Sequence, residues 1–145
     1  MRLKNYPLFI ALLLGIAACT EIKSSHPIER KHYDKGEVDI GYSQVVRKGK
    51  TLYISGVVST APTFAQQLKE EYEFITKILA DYGVDTGAIV KETIFTRDME
   101  ALKRVIPERK AFFKTDMYPS ASWIQVAQLY DPAIMLEIEV EAHLP

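Results

Sequence analysis

Near the C-terminus, Glu137, Glu139 and Glu141 alternate with Leu136, Ile138, Val140 and Ala142. In a strand this alternation sends the apolar set to one face and the three carboxylates to the other. The carboxylates then form a solvated sheet face or, if copies of the chain associate through it, interface groups that need cations. One cation, Arg109, stands on an otherwise apolar helical stripe of Met99, Leu102, Ile106 and Phe113. A charge in that position either snorkels to solvent or has a partner, such as Glu137 or Glu139. The stretch YPSASWIQVAQLY, Tyr118 to Tyr130, carries no charge and has the lone tryptophan, Trp123, at its mouth. Such a strand is either the wall of a reactive site or a well-packed strand. The three histidines, His26, His32 and His143, form no metal-ligand spacing.

The elements that position these groups alternate two periods. YSQVVRKGKTLYISGVV sets Lys48 and Gly49 between two β-prone runs, a hairpin signature. Phe64, Leu68, Tyr72, Ile75, Leu79 and Tyr82 then recur every three or four residues, predicting a helix. Thr63 with Gln66 fits a capping box, and Gly83 fits a left-handed helix end. Ala88 to Thr96 returns to β-rich residues, and Asp98 can cap a second helix with a kink or restart near Ile106, because Pro107 lies inside its pattern. Two strands close the chain, Ser122 to Leu129 and Ile134 to Ala142. The order ββαβαββ predicts an α+β, two-layer fold, a mixed β-sheet with two helices on one face.

The N-terminus bears on compartment. MRLKNYPLFIALLLGIAACT has two cations, an apolar run from Leu8 to Ala17 and then Cys19, the only cysteine. That is the layout of a secretory signal. A run of ten residues is short of the roughly 20 that a membrane-spanning helix needs. Its end, Ile16-Ala17-Ala18-Cys19, resembles the bacterial lipoprotein box, in which cleavage precedes a lipidated cysteine. The expected organisation is a signal peptide over residues 1–18, a lipidated Cys19 with a polar tether over 19–38, and one domain over 39–145. A lone cysteine excludes an internal disulfide, so the domain stands on its core. Removing Arg2 and Lys4 from the 18 basic residues leaves 16 against 19 acidic ones, net about −3. No basic stripe points to nucleic acid.

The blocks GYSQVVRKGKTLYISG, IVKETIFTRDMEALKRV and YPSASWIQVAQL followed by LEIEVEA resemble the Rid family of YjgF-like reactive intermediate deaminases. The match runs from about Ile40 to Ala142. The resemblance implies a chorismate-mutase-like fold and a homotrimer with small-molecule clefts between subunits. It also implies hydrolysis of enamines and imines shed by pyridoxal-phosphate enzymes, with no metal or cofactor. Tyr42, Ser55 and Glu137 match cleft positions of the family, which gives Glu137 the role of orienting water. Ala121 stands where the family has an arginine that grips the substrate carboxylate. Val57 replaces a usual glutamine and Ile106 a usual asparagine. Arg109, where the family more often has an aromatic residue, is a candidate relocated anchor. Trp123 shares a strand face with Ala121, where it either narrows the cleft or packs at a subunit contact.

Because lipidation needs the Cys19 thiol, Cys19→Ala is expected to abolish membrane association while leaving the domain folded. Thr20, not an aspartate, follows the cysteine, which by the usual bacterial sorting rule directs the protein to the periplasmic side of the outer membrane. Metabolic labelling that puts no acyl chain on the wild type would overturn this reading.

Overall fold

A computed structural model describes residues 27–145. The signal-peptide and Cys19 readings fall on residues outside that range. The polar stretch read as a tether to residue 38 enters the fold earlier than expected. Ile28–Lys31 (β1) pairs antiparallel with Val45–Lys48 (β2), and Lys35–Ile40 (α1) lies between them. An edge strand needs little apolar surface and is protected by charge, so β1 has the composition of a linker.

Thr51–Val57 (β3) completes the expected hairpin with β2. Phe64–Asp81 (α2) follows, then a 3₁₀ turn at Thr86–Ala88 and Ile89–Thr96 (β4). The expected second helix is split, as Pro107 suggested, into Met99–Arg104 (α3) and Ile106–Lys110 (α4), with the proline in the first turn of α4. Ser120–Gln125 (β5) and Leu136–His143 (β6) end the fold. Both differ from their expected limits. β5 begins two residues earlier and stops at Gln125, and β6 begins at Leu136, after a turn in which Ile134 N–H donates to Asp131 O. The sheet order is β1-β2-β3-β6-β4-β5, with β4 and β5 parallel and every other pair antiparallel. The fold is thus the expected mixed sheet with helices on one face.

The stripe of α2 buries Leu68, Tyr72, Ile75 and Leu79 against Leu52, Ile54, Ile138 and Val140. Each such side chain contributes roughly 1.5–3 kcal/mol relative to exposure. Thr63 caps α2 by accepting from Gln66 N–H at 3.3 Å. Gly83, at φ 76°, ends it: Gly83 N–H donates to Ala80 O and Val84 N–H to Leu79 O. A residue with a Cβ would be strained there.

A polar cluster is buried within this apolar layer. Glu92 on β4 has 0% exposure, and its Oε1 accepts from Arg109 Nε at 2.9 Å and Nη2 at 2.7 Å. Its Oε2 accepts from the Tyr72 hydroxyl, and Trp123 Nε1 approaches Oε1 at 3.4 Å. The Arg109 guanidinium lies over the rings of Phe113 and Trp123, at 4.9 and 5.4 Å. Burial pushes the Tyr72 phenol well above its usual range, so it acts as a donor. Separately, Glu71 on α2 is 1% exposed: Ser59 N–H donates to its Oε1 at 3.2 Å, while Oε2 has no partner. Burial pushes its pKa from 4.5 to about 10, opposed by the Ser59 N–H and reinforced by Glu137.

Two outcomes follow from these buried groups. Arg109→Met leaves the Glu92 carboxylate buried without its cation and is expected to cost about 3–5 kcal/mol in urea unfolding. Adding Glu92→Met should recover most of that loss, and a single-variant cost under about 1 kcal/mol would contradict the pairing. Glu71 keeps its proton in the folded chain up to about pH 10 but loses it near 4.5 when unfolded. Its contribution is therefore complete below pH 4.5 and declines as pH rises toward about 10. Glu71→Gln, neutral throughout, should become progressively more stable relative to wild type across that window. Parallel unfolding curves at all pH values would refute this.

Candidate functional site

A capped turn and a bulge build the cleft. Asp34 caps α1, and Glu37 completes the box: its buried carboxylate accepts from the backbone N–H of Tyr33, Asp34 and Gln44 at 3.1–3.2 Å. α1 ends at Gly41, after which the chain delivers Tyr42 to the surface. This turn is stitched to β3. Gln44 Nε2 donates to Ser55 O at 2.9 Å, and Ser55 Oγ donates to Ser43 O at 2.8 Å. Between Ile54 and Val57 the register of β3 against β6 shifts. Ile54 and Val57 both stay in the core, so Ser55 and Gly56 share the space of one outward residue. The Glu137 carboxylate occupies the space above Gly56, where any Cβ would overlap it.

Tyr42, Ser55 and Glu137, three of the residues singled out in the sequence, thus meet in one concavity of about 480 Å3, closed by Gly56, Val58 and Tyr130. Glu137 is half-buried, and burial first, then the neighbouring Glu139, raises its pKa. Tyr42 is raised too, by burial and then by Glu37, Asp34 and Glu137. A carboxylate so placed is more easily protonated than in water and can accept a proton from a water or return one to a leaving nitrogen. Among the described residues no group of His, Cys, Asp and Glu is arranged to hold a metal ion.

The remaining candidates form a second group. Ala121 aligns with Glu92 and Trp123 with Ile94 in the parallel pairing of β5 with β4, so both side chains lie on the helix side of the sheet. Ala121 is exposed, Trp123 half-buried, and Ile106 half-buried at the start of α4. Glu137, Glu139 and Glu141 of β6 occupy the opposite face, paired with Phe95, Thr93 and Lys91 of β4. Arg109 therefore does not reach Glu137 or Glu139: α4 packs on the helix side, and its partner is Glu92. Neither does it project into the cleft, being 5% exposed beneath Phe113 and Trp123. Trp123 packs onto Arg109 and stays out of the Tyr42 concavity of its own chain.

Sequence reasoning missed Glu92, Glu37 and Gln44. Asp34 with Glu37 carried a readable capping-box spacing. Glu92 carried a weaker signal, a charge two residues before the inward Ile94.

A family model described as endoribonuclease L-PSP matches residues 37–144. A RutC family protein of Pasteurella multocida is 30% identical over 122 residues, covering 77% of this chain and 92% of that protein. The human 2-iminobutanoate/2-iminopropanoate deaminase is 30% identical over 109 residues, covering 70% of this chain and 77% of that protein. The crystal structure of a YjgF-family protein from Mycobacterium tuberculosis superimposes with a TM-score of 0.75 at 23% identity, over 81% of this chain and all of that one. With the family model spanning nearly all of the described fold, the chain belongs to the Rid family of YjgF-like proteins.

Proposed function

We propose that the protein is an exported, lipid-anchored Rid trimer that binds a small metabolite in clefts between subunits and lacks the ordinary 2-imino acid deaminase activity. The observation that carries this reading is the separation of the two residue groups. Tyr42, Ser55 and Glu137 lie on one side of the sheet, and Ala121 and Ile106 on the other. One chain alone cannot close both groups around a ligand, whereas neighbouring copies can. In the family arrangement the second group supplies the carboxylate grip. Here it supplies an alanine and a guanidinium already committed to Glu92. Export supports binding over clearance, since pyridoxal-phosphate enzymes release enamines in the cytoplasm.

A second reading, hydrolysis of a C=N bond with altered specificity, is favoured by the desolvated Glu137. With an iminium substrate, Glu137 would take a proton from the water that adds to carbon, pass it to nitrogen as the C–N bond breaks, and accept the hydroxyl proton as the carbonyl forms, releasing a carbonyl and ammonia or an amine.

The domain, residues 26–145, is expected to sediment as three copies, and a monomer at micromolar concentration would remove the shared cleft. Hydrolysis of 2-iminobutanoate should fall roughly ten- to a hundredfold below that of a relative with the arginine, since a charge-assisted grip is worth about 1.5–3 kcal/mol. Ala121→Arg alone should not restore it, because the new cation aligns with Glu92 and meets Arg109. Robust turnover by the wild type, lost in Glu137→Gln, would establish the second reading instead.

A further inference from the structure

The chemical class of the ligand can be argued from the charges and surfaces around the cleft. We infer that the Tyr42–Glu137 cleft selects an organic cation, a protonated amine, amidine or iminium carried on an apolar body, and rejects carboxylates. This rests on the reading of the cleft as the ligand site.

The first argument is charge. Glu137 is the one charged group lining the concavity, and no Lys, Arg or His shares its wall among the described residues. The second-group residues themselves hold no unpaired cation. Ala121 and Ile106 are neutral, and Arg109 is neutralised by Glu92 behind aromatic rings. An incoming carboxylate would shed water and meet only a like charge, whereas a cation would pair with a half-buried carboxylate that has no counter-ion. The second argument is surface. Ile40, Tyr42, Val58 and Tyr130 are exposed around the acid, Tyr130 by 81%. Apolar rims cover an apolar body, and tyrosine faces attract cations. The third argument is geometry. The missing Cβ at Gly56 leaves room for the Glu137 carboxylate to lie against the bulge, in the lining of the concavity. A cationic head would sit deep against Glu137 with its body among the rim residues.

The test uses three probes of similar shape and different charge, benzylamine, benzyl alcohol and phenylacetate, titrated into the purified chain by ligand-observed NMR and calorimetry. Benzylamine should bind more tightly than benzyl alcohol, and phenylacetate most weakly. Glu137→Gln should weaken benzylamine roughly ten- to a hundredfold while leaving benzyl alcohol within about a factor of two. Tighter binding of phenylacetate than of benzylamine would overturn the ligand class and leave the cleft reading intact. Equal weakening of both benzylamine and benzyl alcohol by Glu137→Gln would also overturn it, since that is the mark of a merely structural role. Binding of none of the three to a chain that sediments as a trimer would overturn both this inference and the binding function.

Discussion

The Glu92 carboxylate ties four elements together through its two oxygens. It belongs to β4, takes the Tyr72 hydroxyl from α2 and the guanidinium of Arg109 from α4, and lies within reach of the Trp123 indole on β5. The edge strand β5 is held by its parallel ladder on β4, and Val105, Phe113 and Trp123 pack on the core; the charged knot adds a side-chain tie between that strand, α2 and α4. A buried ion pair contributes little net stability over an apolar substitute, because desolvation offsets the attraction. What it favours is arrangement: α4 docked so that Arg109 meets Glu92, since any other register would leave a buried charge unpaired. The aromatic plates of Phe113 and Trp123 shut out the water that would otherwise screen the pair.

On the opposite face the constraint is steric. β3 must bulge so that Ile54 and Val57 both point inward, and the bulge places Gly56 beneath Glu137. Glu37 then holds the preceding turn through three backbone N–H groups, and Gln44 and Ser55 lock that turn to the bulge. Tyr42 and Glu137 are therefore positioned by backbone contacts on rigid elements, which leaves the cleft preformed.

Some of this was legible in the residues. The stripe of α2, the left-handed Gly83, the hairpin at Gly49 and the inward and outward sets of β6 follow from period and turn chemistry, and each is present. β1 was not legible, because Ile28–Lys31 carries three charged residues and one apolar one, the composition of a solvated segment. The partner of Arg109 was not legible either. Arg109 broke the rule of an apolar stripe and Glu92 broke the rule of an inward strand position, but matching the two violations required knowing which face of the sheet α4 covers. The cleft was legible only through resemblance, because Tyr42, Ser55 and Glu137 are distant in sequence and are joined by a bulge that no local pattern announces.

The strand order carries a consequence for biogenesis. β6, the last strand of the described fold in chain order, sits in the middle of the sheet between β3 and β4. Until Leu136–His143 has left the ribosome, the sheet exists only as two separate pieces, β1-β2-β3 and β4-β5, each with one flank open and its apolar face incompletely covered. Long-range pairings of this kind delay the closing step of folding. The two pieces become one sheet only when Leu136–His143 inserts between strands that precede it in the chain, so the join between the two halves of the fold rests on this one strand.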